Sequence, residues 1–133
     1  MKRIIIAAAF AVLAIGIVGA QDSIDAGAQE RALERAGVSR ELREKAIELF
    51  RGAAEKTALS RADLKIKEAE LSKLLIEDAV DMAAVEKKLR EISEIELSVR
   101  LNRIRTETEL RGLIGDDRWA KLRKNLRDRA KEK

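Results

Sequence analysis

An all-α fold is predicted by three observations. Pro is absent from all 133 residues. From residue 21 onward the chain is dominated by Ala, Leu, Glu, Lys and Arg, the strong helix formers. Apolar residues recur there at spacings of three, four and seven, the period of an amphipathic helix. Together they predict a four-helix protomer built on a long antiparallel helical hairpin over residues 59–113, joined at the acidic turn Glu77-Asp78-Ala79-Val80-Asp81.

Residues 1–20 differ in kind. Lys2 and Arg3 open the chain, residues 4–18 are unbroken apolar, and Val18-Gly19-Ala20 offers a cleavage site. That is the pattern of a secretory signal peptide, so the chain is expected in the periplasm, cut after Ala20. The alternative is a retained N-terminal membrane anchor, but the run is short of the roughly 20 apolar residues a spanning helix needs. No Cys follows it, which excludes a lipoprotein. Residues 21–133 are then one domain, its core about 37–126. Cleavage removes Lys2 and Arg3, so Lys+Arg falls from 28 to 26 against 24 Asp+Glu and net charge drops from +4 to +2.

The first helix is expected over 22–36. Ile24, Ala28, Ala32 and Leu33 give it a thin apolar stripe, Gly27 weakens it, and its new N-terminal end frays. Gly37 suits the left-handed position after a helix. Ser39 can N-cap the second helix, with Glu41 in the first turn. Leu42, Ala46, Leu49, Phe50, Ala53, Thr57, Leu64, Leu71, Leu74 and Leu75 share one face of it. Asp81 can cap the third helix, where Val85, Ile92, Val99, Thr106 and Leu113 recur every seven residues and Leu89, Ile95 and Leu110 widen the seam. Gly112 and Gly115 are expected to end it, and Asp116 to cap a fourth helix carrying Trp119, Leu122, Leu126 and Ala130.

Both hairpin helices carry apolar residues off this seam at the same height: Leu59, Ala62, Ile66 and Ala69 on one, Leu97, Leu101 and Ile104 on the other. This second face packs beneath the end helices or in a dimer, or it serves other proteins. The candidate client contacts are Leu59, Ile66, Leu97, Leu101 and Ile104, with Arg100, Arg103 and Arg105 at the rim. A hairpin about 48 Å long at 1.5 Å per residue buries little by itself, which argues for a homodimer.

Much chemistry is excluded. His and Cys are absent, so Ser–His and Cys–His nucleophiles and the usual zinc sites cannot be built. No Gly-rich phosphate loop occurs. Tyr is absent and Trp occurs once, so a nucleic-acid surface with stacking aromatics is not expected. An enzyme, a cofactor and a metal are not expected. Glu77, Asp78 and Asp81 lack the spacing of a calcium loop and read as capping and solvated charge.

A short motif precedes the first long helix, Val38-Ser39-Arg40-Glu41-Leu42, and a sister follows the second, Ile114-Gly115-Asp116-Asp117-Arg118. This layout resembles the Spy/CpxP-like periplasmic proteins and their ZraP and CnrX-type relatives, whose hallmark is a twice-occurring Leu-Thr-x-x-Gln. Val38 and Ile114 stand at the apolar position, Ser39 keeps the hydroxyl, Gly115 lacks it, and Leu42 and Arg118 replace the glutamines. The resemblance implies a cradle-like antiparallel homodimer. It also implies one of three tasks: ATP-independent holding of unfolded envelope proteins, restraint of a membrane sensor kinase through its periplasmic domain, or heavy-metal sensing. The third suits this chain least, because beyond residue 20 it has no His and one Met, Met82.

Overall fold

The computed structural model describes residues 26–131, and all regular structure among them is helical. The helices are α1 (Ala26–Arg35), α2 (Arg40–Leu75), α3 (Met82–Ile114) and α4 (Asp116–Lys131). The signal segment, its cleavage site after Ala20, and Asp22 and Ile24 of the expected first helix lie outside the described residues. No helix among those described is long and apolar enough to cross a membrane.

Local chemistry sets the boundaries. Ser39 is extended and its side-chain oxygen accepts the Leu42 N–H at 3.5 Å, satisfying one of the free donors at the start of α2. Asp81 does the same for α3, accepting from Ala83 and Ala84 at 3.1 and 3.2 Å. Gly37, at φ 81°, takes the left-handed position between α1 and α2.

The other glycine expectation needs correcting. Gly112 lies inside α3, which runs on to Ile114; Gly115, at φ 87°, ends it. Asp116 is not an N-cap either. It is the first residue of α4, and its carboxylate accepts from Arg111 Nε at 2.6 Å. The Trp119 N–H bonds to the Gly115 carbonyl at 3.0 Å, so Gly115 is at once the end of one helix and the start of the next.

α2 and α3 lie against each other along their length. Ala53 and Thr57 face Asn102, Lys67 faces Glu91, and Glu70 faces Lys88. Numbers rise on one helix as they fall on the other, so the two run antiparallel. At 1.5 Å per residue the 33 residues of α3 extend about 50 Å. Ala46, Phe50, Ala53 and Thr57 of α2 and Val85, Thr106 and Leu110 of α3 are buried along this seam.

The main core sits at one end, the base. Leu33 of α1, Ala46 and Phe50 of α2, Leu110 and Ile114 of α3, and Trp119 and Leu122 of α4 form one cluster. α1 is firmly seated there: Ala32 and Leu33 are buried, and Arg43 of α2 donates to the Val38 carbonyl at 3.0 Å. Toward the far end, the tip, the seam thins. Leu64, Leu71 and Leu74 are half-buried, whereas Leu75 and Leu89, both expected in the seam, are exposed. Near the turn the two helices no longer have a third element to close over them, so one side of each stays in water.

Candidate functional site

The site is built from the two sides of the α2–α3 pair. Ile47, Phe50, Leu110 and Ile114 point to the side that α1 and α4 cover. At about 100° per residue, Gly52 lies about 160° round α2 from Phe50, and Arg105 about 140° round α3 from Leu110. Both therefore belong to the other side, which none of the described helices covers. An open groove of about 730 Å³ runs there, lined by Leu49, Gly52 and Leu59 of α2 and Leu97, Leu101 and Arg105 of α3.

Its floor is polar and satisfied. Asn102 Nδ2 donates to the Ala53 carbonyl at 3.2 Å and to Thr57 Oγ1 at 3.3 Å, and Thr106 Oγ1 donates to the Asn102 carbonyl at 2.8 Å. Such a buried polar layer fixes the register of the pair, since a slip would leave Asn102 unbonded. Gly52 contributes a dent: a Cβ added there meets nothing within 4 Å.

The walls are apolar and wet. Leu59 is 70% exposed, Leu97 57% and Leu101 39%. Ile66 lies two turns from Leu59 toward the tip on the same flank, and Ile104 borders Leu97 and Leu101; both are exposed. Three of the five apolar candidates line the groove and Ile66 continues Leu59's flank, whereas Ile104, about 100° round α3 from Arg105, sits on the outer edge of α3. The end helices cover none of them, which removes one of the ways this face could have been buried.

The arginines divide. Arg105 lines the groove. Arg100 and Arg103 lie about 140° and 160° round α3 from Arg105, and Arg103 faces Glu107 at 3.9 Å. Sequence reasoning missed Lys56, and it missed that Glu48, Glu94 and Glu109 also line the groove, which makes the rim mixed rather than basic. Lys56 sits three residues before Leu59 on the same flank, and that spacing was the available signal. The motif positions are structural instead. Val38 and Ile114 are buried in the base core, Leu42 packs against it, and Arg118 donates to the Ile114 carbonyl at 3.3 Å.

On the same side, beyond the groove toward the tip, four charges lace the helices together. Lys88 Nζ donates to Glu70 at 2.5 Å and to Glu91 at 2.8 Å; Lys67 lies 3.2 Å from Glu91 and 3.6 Å from Glu70. The hydrogen bond from Lys88 holds Glu70 below its ordinary value of 4.5, and those from Lys88 and then Lys67 do the same for Glu91. The same bonds raise Lys88 above 10.5.

A carboxylate lowered by folding stabilises the fold fully above its unfolded value and loses that share as pH falls through the lowered one. A lysine raised by folding keeps its share below 10.5 and loses it as pH rises through the raised value. The lacing is therefore intact at neutral pH and is lost in acid, as pH falls through the lowered values of Glu70 and Glu91. Amide exchange around Leu71 and Val85, corrected for intrinsic rates, is expected to speed up on going from pH 7 to pH 3. The variant Glu70→Gln/Glu91→Gln is expected to lack that response. Unchanged protection in the wild type would contradict the role given to these four charges.

Matched against protein-family models, curated proteins and solved structures, the chain finds no counterpart in any of the three. What the site can do must be read from its own chemistry. Among the described residues no cluster of carboxylates is placed to hold a metal ion. At the acidic turn, Asp81 Oδ1 is engaged by two backbone N–H groups. The groove instead offers an open contact surface of apolar and charged side chains.

Proposed function

We propose that this chain is an ATP-independent periplasmic chaperone that holds unfolded envelope proteins on the open side of the α2–α3 pair. The observation that carries it is the exposure of Leu59, Leu97 and Leu101 along one groove, on a pair whose other side is closed at the base by α1 and α4. Clustered apolar exposure of this kind marks a contact surface. An unfolded segment presents apolar side chains and both signs of charge. Lys56, Arg105, Glu48, Glu94 and Glu109 interleaved with leucines suit such a segment without selecting one sequence.

Export by residues 1–20 and membership of the Spy/CpxP-like group are parts of the same proposal, as is a homodimer. It involves no enzymatic chemistry, cofactor or metal. Folding and binding use different side chains, and that makes the proposal testable. Leu97→Asp/Leu101→Asp removes no buried contact, so helicity is expected to be unchanged and the unfolding free energy to stay within about 0.5 kcal/mol of wild type, as for surface substitutions generally. Suppression of aggregation of a thermally unfolding substrate, followed by light scattering, is expected to fall several-fold. Full suppression by the double variant would remove the groove from the account. Loss of helicity would show these leucines to be core. If neither protein suppresses and both capture one sensor domain, the chain is a regulatory partner.

A further inference from the structure

We propose that the tip of the hairpin is a docking site for a cationic amphipathic helix of another protein, separate from the groove. Ten large apolar side chains are exposed among the described residues. Five of them, Leu75, Ile76, Val80, Met82 and Leu89, lie at the turn end of the pair. Ile76 is 81% exposed and Met82 67%, so the hairpin itself makes little use of them. Clustered apolar exposure marks a contact surface.

Their placement sets the shape of the partner. Leu75 stands four heptads from Ile47, and Leu89 and Met82 stand three and four heptads from Leu110. On helices paired along a seven-residue seam, residues whole heptads apart share a side. Ile47 and Leu110 belong to the base cluster, on the side that α1 and α4 close. The strip at the tip therefore continues that side beyond the reach of the end helices. At the base, the chain lays an amphipathic helix on it: α4, apolar through Trp119, Leu122 and Leu126, with seven Lys and Arg against three Asp. At the tip, none of the described helices covers it. Met82 to Leu89 spans about 10 Å at 1.5 Å per residue, the length of two turns of a helix laid along it.

Charge sets the partner's sign. Between Lys73 and Lys87 the chain carries Glu77, Asp78, Asp81 and Glu86 and no cation. Asp81 caps α3 and Glu86 bonds Arg90, whereas Glu77 and Asp78 pair with no described residue. A second tip would bring the same carboxylates against these, and an anionic lipid surface would be repelled for the same reason. A helix with Lys or Arg beside its apolar stripe meets both conditions. Its stripe covers Leu75, Met82 and Leu89, and its cations reach Glu77 and Asp78. This is docking by apolar anchors at helical spacing, with charge choosing among helices.

A synthetic helix of about four turns, Leu on one face and Lys on the other, is the probe, with binding followed by fluorescence anisotropy. Wild type is expected to bind it with a Kd below about 100 µM, and to bind a counterpart carrying Glu in place of Lys about tenfold more weakly or worse. Met82→Ser/Leu89→Ser and Glu77→Lys/Asp78→Lys are each expected to weaken binding by about tenfold or more, and Leu97→Asp/Leu101→Asp to leave it unchanged. Circular dichroism checks the fold. If the apolar variant loses helicity, the charge variant, at exposed turn positions, decides alone.

No binding by wild type at that concentration, equal binding of the two peptides, or binding that survives the tip variants would each overturn the proposal. Binding lost only in Leu97→Asp/Leu101→Asp would seat the helix in the groove instead. Sedimentation of wild type with anionic vesicles, abolished by Met82→Ser/Leu89→Ser, would make the tip a membrane contact and overturn it too. The tip variants are expected to suppress aggregation as wild type does, so the tip and the groove stand or fall separately.

Discussion

Replacing Leu110 by alanine is expected to lower the melting temperature by roughly 15 °C, the largest effect of any single truncation considered. Leu110 is fully buried where all four helices meet, in the cluster of Leu33, Phe50, Ile114, Trp119 and Leu122. Burying a leucine and then deleting it costs its transfer free energy plus that of the cavity, about 3 kcal/mol in a site that cannot collapse. For a domain of this size each kcal/mol is worth roughly 5 °C. The base cluster holds most of the buried apolar side chains, so its loss is felt by the whole molecule. A melt followed by circular dichroism checks this. A shift under about 3 °C would mean that the base is not the stabilising core.

The second large effect is a difference of sign between two glycines three residues apart. Gly115 holds φ 87° and ψ 160°, a conformation open to Gly and strained for any residue with a Cβ. Gly115→Ala is expected to cost about 2 kcal/mol, although a Cβ there would meet nothing within 4 Å. The strain is in the backbone, and relieving it would turn α4 away and pull Trp119 and Leu122 from the core. Gly112 is helical, exposed and equally open. Gly112→Ala is expected to stabilise by about 1 kcal/mol, the helix-propensity difference between the two residues. Urea melts of both variants give the comparison. Equal shifts in the same direction would contradict the assignment of the α3–α4 junction to Gly115.

Local signals were legible in the sequence where one residue type does one job. Ser39 and Asp81 before apolar-periodic runs, and Gly37 after one, act as their side chains require. The buried face of α2 from Ala46 to Thr57 followed from spacing alone. Spacing failed at Leu75 and Leu89, because periodicity reports which face a residue shares and not whether a neighbour is there to cover it. It failed at Gly112 because a glycine costs a helix only about 1 kcal/mol, which one already docked at both ends tolerates.

The site was half legible. Leu59, Ile66, Leu97 and Leu101 fall on one side because they repeat at helical spacing, and Ile104 falls on the outer edge of α3. The Asn102 layer and the Lys88 lacing depend on which residue of α2 stands level with which of α3, and no local pattern carries that register. Of the three arginines only Arg105 reaches the groove, and helical spacing within α3 alone already set Arg100 and Arg103 apart from it.

Site-specific photo-crosslinking puts the account to its most direct test. A photoreactive residue is placed at Leu97, in the groove wall, or at Lys65, exposed on α2 but turned away from the groove, and each protein is irradiated with excess unfolded substrate. Adducts with the substrate are expected from position 97 and not from position 65. Equal yields from both, or none from 97, would contradict the claim that the open side of the α2–α3 pair is what this protein offers to its clients.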